Sequence, residues 1–319
     1  MRKNRALVLL AGLVGLVLAL TAPAFADTHI EKNLKLERGG RFALRSDVGS
    51  VTVTGVTAAG AKVVITSRRD DLEHLMDFDF EESPGLVRVT GRKKGGAIFG
   101  WHEGISLHYE VEVPSETRLE ISTGGGGIKV YAMRRDADLN TSGGGIEVEG
   151  FAGNLLAHTS GGGISLREIT GNSKVDTSGG GINAKSVEGP IEARTSGGSI
   201  EMDRVTGDIL AKTSGGGIRI DRAGGRVEAE TSGGSVEVNF EKGNSRGGEL
   251  GTSGGSVRVG LDPNANLNID ASTSAGHVNT SLPIKLRHVS KSSLSGSLGS
   301  GGAMLRLHSS AGSIDIAAR

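Results

Sequence analysis

The sequence predicts an all-β protein, most of which is a single-chain parallel β-solenoid (β-helix) with about 18 residues and two short strands per coil. Glycine is unusually abundant, at 53 of 319 residues. From Thr141 onwards a Thr-Ser-Gly-Gly motif, followed by an aliphatic residue, recurs with a constant period. Apolar and polar residues alternate inside each copy, which indicates strands. We expect a signal peptide at 1–26, an N-terminal β cap region at 27–120, and a Gly-rich solenoid at 121–319 that is continuous with the cap.

The composition excludes several classes of protein. The chain has no Cys, which excludes a disulfide scaffold, a thiolate zinc site and a cysteine nucleophile. Its 36 basic and 36 acidic residues balance, and only 3% of its residues are aromatic, so we expect no nucleic-acid partner. The hydrophobic fraction of 36% is too high for a disordered chain.

The segment 1–26 has the three parts of a secretory signal. Basic residues begin the segment, an apolar run extends from Ala6 to about Leu20, and Ala-Phe-Ala occupies 24–26. The apolar run is shorter than the ~20 residues that span a bilayer, which favours cleavage near Ala26 over a retained signal anchor. The sequence therefore predicts an exported protein, periplasmic or extracellular at the cell surface, with no transmembrane segment in its mature chain.

The cap region alternates in hydrophobicity but lacks the period of the solenoid. Its alternation predicts strands at 50–54, 61–67, 86–90 and 105–113. Such strands would cover one end of the solenoid and protect it from end-to-end pairing.

Two parts of the cap are candidate sites, each with two open interpretations. Residues 70–82 are acidic and precede the basic residues 92–94, so they form either a cation or partner site, or a solvated strand and turn facing its own basic loop. A Gly-rich loop carries either a ligand platform or an aromatic residue that folds back on the cap. The residues of this loop are Trp101, which is the only tryptophan, His102, Glu103 and His108.

One aliphatic position marks the register of the solenoid coils. The spacing of this position along the sequence is constant as far as Val236, and it is slightly longer at each of the next two copies. The last copy follows after two regular steps. The residues are Ile128, Ile146, Ile164, Ile182, Ile200, Ile218, Val236, Val257, Val278 and Ile314. Because one copy cannot bury its own apolar face, each strand is expected to pair with the equivalent strand of the next copy. About ten coils would form a rod of roughly 50 Å.

Alternation within a copy predicts which residues face the core. In the copy at 146–159 the predicted inward residues are Ile146, Val148, Leu155, Ala157 and Thr159. The predicted outward residues are Glu147, Glu149, Leu156 and His158, and a bend is expected near 151–153. Inward Ala193, Ala211 and Ala229 would let the two sheets approach closely. The inward Thr column predicts a hydroxyl ladder that satisfies backbone groups at the corners, with simple β-propensity as the alternative.

Outward residues one period apart are expected to be neighbours, and several carry opposite charges. These pairs are Glu149 with Arg167, Lys185 with Asp203, Asp176 with Arg194, Lys212 with Glu230, and Lys174 with Glu192. Because the outward charges are mixed in sign, the surface has no stripe of a single charge that could bind a polyanion.

These repeats, the Val111-Glu112-Val113-Pro114 lead-in and the closing Ser310-Ala311-Gly312-Ser313-Ile314 resemble the bacterial putative-adhesin family of exported β-strand-repeat proteins, a domain of unknown function. The resemblance covers roughly residues 30–319. It implies adhesion, and it brings no catalytic or binding residues to this chain.

No catalytic, cofactor-binding or metal-binding residues are predicted, and no cofactor is expected. The coil corners lack the Asp of calcium-binding β-rolls. The Gly-x-Ser-x-Gly match at Gly251–Gly255 is the repeat in another frame, and His158 and His277 are expected to face outward.

The preferred hypothesis is a non-enzymatic, adhesin-like binding or structural module with an unknown protein or glycan partner at the surface or envelope. The alternative is a periplasmic envelope-stress or scaffold component that docks to a membrane protein. A β-helix polysaccharide-active enzyme is the remote alternative.

Overall fold

A computed structural model describes residues 28–94 and 105–319 of the chain. These residues form a β-solenoid of two sheets, which we name sheet A, with 14 strands, and sheet B, with 15 strands. The predicted fold class is confirmed. The predicted signal peptide and the loop residues Trp101, His102 and Glu103 lie outside the described residues.

The described residues of the cap region form seven strands and a short helix before the first regular coil. In chain order these elements are β1 (Thr28–Leu34), β2 (Arg41–Ser46), β3 (Ser50–Val56), β4 (Ala61–Ser67), α1 (Leu72–Leu75), β5 (Met76–Ser83), β6 (Leu86–Lys93) and β7 (Leu107–Pro114). The four predicted strands correspond to β3, β4, β6 and β7, so they are confirmed.

The regular coils alternate between the two sheets. In sheet A lie β9 (Ile128–Tyr131), β11 (Ile146–Ala152), β13 (Ile164–Thr170), β15 (Ile182–Glu188), β17 (Ile200–Val205), β19 (Ile218–Ala223), β21 (Val236–Phe240) and β23 (Val257–Leu261). In sheet B lie β8 (Arg118–Thr123), β10 (Ala137–Thr141), β12 (Leu155–Thr159), β14 (Ser173–Thr177), β16 (Ile191–Thr195), β18 (Ile209–Thr213), β20 (Val227–Thr231) and β22 (Gly248–Thr252).

Six strands complete the chain. They are β24 (Leu267–Thr273), β25 (Val278–Thr280), β26 (Lys285–Val289), β27 (Ser293–Leu298), β28 (Ala303–Ser309) and β29 (Ile314–Ala318). Strands β25 and β29 belong to sheet A, and the other four belong to sheet B.

The predicted register and the predicted core are confirmed in the regular coils. Ile146 is registered with Ile164, and Leu155 with Ser173, so each residue lies beside its equivalent in the next copy. All the predicted inward residues of the 146–159 copy are buried, and all its predicted outward residues are at least partly exposed. Periodic apolar columns therefore form one continuous core between the sheets.

In the coils that begin at Ile146, Ile164, Ile182, Ile200 and Ile218, the first strand buries one residue more than the sequence pattern predicts. Phe151, which the pattern places in a bend, is 1% exposed. Gly150 before it has φ of +65°, and Glu168 and Arg204 at the same coil position both have φ of +55°. One left-handed residue shifts the alternation, so Val148 and Phe151 both face inward. Glu and Arg rarely adopt positive φ, so the sequence carries little sign of this bend.

Threonine hydroxyls hold the corners between coils. The Thr177 hydroxyl donates to the carbonyl oxygen of Gly162 at 2.7 Å. Thr141, Thr159, Thr195, Thr213 and Thr231 make the equivalent hydrogen bond. The predicted hydroxyl ladder is confirmed.

Three of the five predicted charge neighbours form ion pairs. The distances are 3.5 Å for Arg167 and Glu149, 3.2 Å for Lys174 and Glu192, and 2.8 Å for Lys212 and Glu230. The other two pairs are register neighbours, but they form no ion pair within the part of the chain that the structure describes. Asp203 pairs instead with Arg222, and Arg194 with Glu192, because these partners are also within reach.

The order of the last coils differs from the predicted sequential stacking. Ile314 is registered with both Val257 and Val278, so β29 lies between β23 and β25. In sheet B, β28 likewise lies between β22 and β24. The expectation that every strand pairs with the next copy along the chain is therefore wrong here. The final coil is inserted between the two coils that precede it, and the hairpin β26–β27 extends sheet B beyond β24.

The N-terminal end of the stack has the mirror arrangement. Strands β2 and β3 form a coil that lies between the β6–β7 coil and the β8–β9 coil. The antiparallel strands β4 and β1 extend sheet A, and β5 extends sheet B. Each sheet thus contains twelve parallel strands. Ten of those in sheet A lie between residues 128 and 318, in agreement with the expected ten coils.

Candidate functional site

A groove with a volume of about 620 Å³ runs along the beginning of the sheet B strands. It crosses six coils. Its rim consists of the residue before each strand, namely Asp136, Asn154, Asn172, Pro190, Asp208 and Arg226. Its wall consists of the first outward residue of each strand, namely Asp138, Leu156, Lys174, Glu192, Leu210 and Glu228. The regular repeat places each set in one column.

Amide side chains order the first half of the groove rim. Asn154 Nδ2 donates to Asp136 Oδ1 at 3.0 Å, and Asn172 Nδ2 donates to Asn154 Oδ1 at 2.9 Å. Pro190 has no side-chain donor, so the ladder ends there. Beyond it, the backbone N–H of Arg226 donates to Asp208 Oδ1 at 2.9 Å. The rim is therefore held in place by hydrogen bonds between coils.

Two leucines make part of the groove wall apolar, although it consists of outward strand positions. Leu156 and Leu210 occupy outward positions, where the repeat otherwise places polar side chains. Leu156 is 41% exposed, and it is one of three exposed large hydrophobic residues in the described ranges. Between the two leucines, Lys174 and Glu192 form their ion pair at 3.2 Å. The wall therefore offers two apolar contacts separated by a paired charge.

Ser173 interrupts the apolar floor of the same groove. Its inward-facing neighbours in the column are Leu155 and Ile191. Ser173 is 4% exposed, and its hydroxyl has no hydrogen-bond partner among the described residues. Ser173 therefore places a small, polar side chain beneath the middle of the groove, between two aliphatic residues of the column.

The acidic stretch of the cap is paired with its own basic strand. Lys94 Nζ lies 2.9 Å from Asp77 Oδ1, and Arg88 Nη1 lies 2.7 Å from Glu81 Oε2. These contacts join β5 to β6 and the residue that follows it, in agreement with the strand-and-turn interpretation.

Beneath that stretch, Phe78 packs edge-on against Tyr109 with ring centroids 6.4 Å apart. The Tyr109 hydroxyl makes a 2.7 Å hydrogen bond with Ser46 Oγ. Burial raises the pKa of Tyr109 to about 12, so this phenol stays protonated at neutral pH. It serves the core of the cap rather than an exposed site.

His108 is the one residue of the predicted loop group that the structure describes. It lies half-buried on β7, and its Nδ1 is 2.7 Å from Ser50 Oγ. Its Nε2 is 3.6 Å from Glu110 Oε1. The Ser50 contact joins β7 to the neighbouring β3, whereas Glu110 lies on β7 itself.

The Gly-x-Ser-x-Gly segment at 251–255 forms an ordinary coil corner. Ser253 is exposed, and its backbone N–H donates to the Thr231 carbonyl at 3.3 Å. No helix follows it, since α1 is the only helix within 28–94 and 105–319. His158 and His277 are exposed, as predicted.

Two further features are absent from the same ranges. No group of three or more His, Asp or Glu side chains is arranged to hold a metal ion. No helix in the described ranges has the length and apolar character needed to cross a membrane.

Residues 44–317 match the family described as Toastrack DUF4097. No curated protein matches the chain. Similar solved structures include a putative adhesin from Bacteroides fragilis, with 12% identity, a TM-score of 0.34, and coverage of 91% of this chain and 97% of that one. A putative lipid binding protein from Parabacteroides distasonis has 12% identity, a TM-score of 0.39, and coverage of 92% and 96%.

A third similar structure is a putative adhesin from Parabacteroides merdae, with 10% identity, a TM-score of 0.34, and coverage of 91% of this chain and 95% of that one. None of these matches indicates an enzyme family. The family match spans most of the chain, and it confirms the resemblance drawn from the repeat motifs. The chain belongs to the Toastrack DUF4097 family.

Proposed function

We propose that the chain is an exported, non-enzymatic binding module of the bacterial envelope or cell surface, and that a protein segment binds in the groove along sheet B. The exposure of Leu156 at an outward strand position carries this proposal. Leu156 lines one groove together with Leu210, and apolar side chains grouped on a rigid surface are typical of a partner site, whereas singly scattered ones are not.

The groove chemistry favours a protein segment over a glycan. None of the described residues that line it is aromatic, so it offers no ring for stacking against a sugar. Leu156 and Leu210 provide two apolar contacts. They lie three coils apart along the stack, which is a distance of about 14 Å at ~4.8 Å per coil. An extended peptide with apolar side chains can reach both.

The carboxylates of the groove rim serve structure rather than catalysis. Asp136 accepts a hydrogen bond from Asn154, and Asp208 accepts one from the Arg226 backbone. A glycosidase requires two carboxyl groups that are available to act as acid and base. These contacts support a binding role.

Binding of the purified chain to cell-surface, cell-wall and matrix preparations tests the proposal. We expect Leu156→Lys combined with Leu210→Lys to reduce binding at least tenfold. Asn183→Lys, an exposed position on sheet A, is the matched control and should bind as the wild type does. Equal binding by all three proteins, or none by the wild type, would overturn the proposed groove.

Protease accessibility on intact and on outer-layer-permeabilised cells tests the location. The basic start, apolar run and Ala-Phe-Ala segment of the sequence support export. Cleavage on intact cells would support a surface module. Protection until permeabilisation would contradict adhesion, and it would favour the periplasmic alternative, in which the groove docks to an envelope protein.

A further inference from the structure

Sheet B ends in two strands that are paired on one side only. At one end β26 pairs with β27, and at the other β5 pairs with β6. Within the described residues neither strand has a partner on its outer side. Such an edge exposes unpaired backbone N–H and C=O groups. With 15 strands in the sheet, these two edges are about 67 Å apart at ~4.8 Å per strand.

The two edge strands carry opposite charges. Strand β5 contains Asp77, Asp79, Glu81 and Glu82 and no basic residue. Asp77 and Glu81 pair with Lys94 and Arg88, and Asp79 and Glu82 form no ion pair within the described residues. Strand β26 contains Lys285, Arg287 and His288 and no acidic residue, and all five of its residues are exposed. Pairing of β5 with β5, or of β26 with β26, would place like charges together. Pairing of β26 with β5 places opposite charges together.

The core-facing sides of the two strands are both apolar. Leu286 and Val289 are registered with Gly296 and Leu294, both of which are buried. They are nevertheless 50% and 58% exposed. These two side chains therefore lie exposed at the uncovered end of the core.

Strand β5 offers a matching face. Phe78 and Phe80 lie on its core-facing side and are only half-buried, whereas Asp77 and Asp79 alternate with them on the other side. Residues on the same face of paired strands become neighbours. Joining β26 to β5 would thus cover Leu286 and Val289 beside the two phenylalanines.

Strand direction also fits this pairing. β26 is antiparallel to β27, which is antiparallel to β24, so β26 runs in the direction of the coil strands. β5 is antiparallel to β6, so it runs against them. Two copies stacked on a common axis therefore bring β26 and β5 together as an antiparallel pair.

The ends of the two sheets are also stepped in a compatible way. Sheet B extends two strands beyond its last coil at the β26 end, where sheet A stops at β25. At the β5 end, sheet A extends two strands and sheet B only one. Joined end to end, the two copies contribute three such strands to sheet B and two to sheet A, so the two sheets match to within one strand.

We propose that the partner of these edges is a second copy of this chain, with β26 of one copy added to β5 of the next. This contact is heterologous, so it leaves one edge of each kind available and extends into a head-to-tail filament. The register shift between Leu286 and His288 interrupts regular pairing in β26. The shared segment is therefore short, and the association depends on protein concentration and on salt. The proposal uses no residue of the groove and does not rest on the proposed binding function.

Sedimentation of the purified mature chain over a concentration series tests the contact. The wild type should form oligomers that dissociate as salt is raised. Lys285→Glu with Arg287→Glu makes both edges acidic. Asp77→Lys with Asp79→Lys and Glu81→Lys leaves one acid against three lysines on β5, so both edges of that variant are basic. Each variant alone should associate at least about tenfold more weakly than the wild type.

Mixing the two variants separates edge pairing from misfolding. Each mixed contact again joins an acidic edge to a basic one, so the mixture should recover oligomers that neither variant forms alone. Lys185→Glu with Arg167→Glu, exposed on sheet A, is the control and should associate like the wild type. A wild type that stays monomeric throughout, or a mixture that fails to recover association, would overturn the proposal.

Cysteine crosslinking provides a second readout, because the chain has no native Cys. Asp79→Cys with Lys285→Cys should form a ladder of covalent oligomers on mild oxidation. An intramolecular bond is impossible over ~67 Å, since a disulfide needs Cα atoms within about 7 Å. Crosslinking no stronger than that of Asn183→Cys with Lys285→Cys would contradict the contact.

Discussion

The hydroxyl of Thr177 donates to the carbonyl oxygen of Gly162, in the corner of the preceding coil, at 2.7 Å. The same hydroxyl lies 3.4 Å from the backbone nitrogen of Gly180, within its own corner. One buried side chain thus links the corner of its own coil to that of the coil before it. This relationship explains why Thr recurs at a position where Val would satisfy strand propensity equally well.

Thr177→Val keeps the shape of the side chain and removes this link. We expect a loss of about 1–3 kcal/mol in the free energy of unfolding, because a buried carbonyl loses a hydrogen-bond donor. Urea unfolding followed by circular dichroism measures the change. Thr170→Val, at an exposed position on β13, should be within about 0.5 kcal/mol of the wild type. Equal losses in both variants would contradict the structural role of the Thr column.

The corner glycines are required because coils approach each other closely. A Cβ on Gly180 would lie 2.2 Å from the carbonyl oxygen of Gly162. Gly180→Ala should therefore destabilise the protein by about 2 kcal/mol or more, since backbone has to move. Gly181→Ser is the matched control, because Ser199 and Ser235 occupy the same position in other coils. Its melting temperature should stay near that of the wild type, and a similar fall in both variants would argue against coil contact as the cause.

Ser173 offers the opposite effect, a gain in stability. Its buried hydroxyl has no partner within 28–94 and 105–319, and Leu155 and Ile191 flank it in the column. Ser173→Val should raise the free energy of unfolding by about 1 kcal/mol, because it removes an unsatisfied polar group and adds apolar contact. Thermal melting of this variant beside Ser173→Ala measures the gain. A lower melting temperature for both would show that the hydroxyl is satisfied in solution.

The Asp203–Arg222 pair makes stability depend on acid pH. Arg222 Nε donates to Asp203 Oδ1 at 2.9 Å, and this hydrogen bond holds the pKa of the Asp203 carboxyl below its usual value. The contribution of the pair is therefore complete above the ordinary Asp pKa of about 3.9, and it is lost as pH falls through the lower folded-state value. At about 1 kcal/mol or less, the effect is small because the pair is partly exposed.

Unfolding free energies at pH 7 and below pH 4 test this dependence. Asp203→Asn should lose less stability between the two conditions than the wild type does. Asp176→Asn removes a carboxylate that makes no ion pair in the described part of the chain, so its pH dependence should resemble that of the wild type. Identical pH profiles for all three proteins would refute the role of the pair.

The repeat made the columns of the solenoid predictable, because a constant spacing fixes which residues are neighbours in every regular coil. The bend at Glu168 and Arg204 was not predictable, since no residue type there signals positive φ. The insertion of the last coil was hidden for another reason. Ile314 and Val278 are both aliphatic, and either could lie beside Val257. Parallel pairing alone therefore does not determine the order of the last coils.

The groove could have been found in part from the sequence. An outward Leu156 departs from the polar residues that the alternation places at such positions, and the same holds for Leu210. Their convergence on one surface needs the coil register, which the repeat supplies. The matching edges of sheet B could not be found this way. Their positions depend on the antiparallel strands β5 and β26, which lie outside the repeat pattern.

The inserted last coil predicts an unusually severe effect of truncation. Removal of residues 303–319 deletes β28, which lies between β22 and β24, and β29, which lies between β23 and β25. The last two coils then lose the strands that join them. Four buried core side chains are lost, namely Leu305, Leu307, Ile314 and Ile316. Their burial contributes at least about 6 kcal/mol, which is comparable to the whole stability of a typical domain.

We therefore expect the chain truncated after Gly302 to lose cooperative unfolding and to be digested rapidly by protease. The control is Leu286→Ser combined with Val289→Ser in the full chain, which changes the same end of the stack without opening either sheet. It should melt within a few degrees of the wild type, because both side chains are already exposed. If the truncated chain melts cooperatively near the wild-type temperature, β24 and β25 can join β22 and β23 directly. The coil order would then be dispensable, because Val278 would replace Ile314 as the neighbour of Val257.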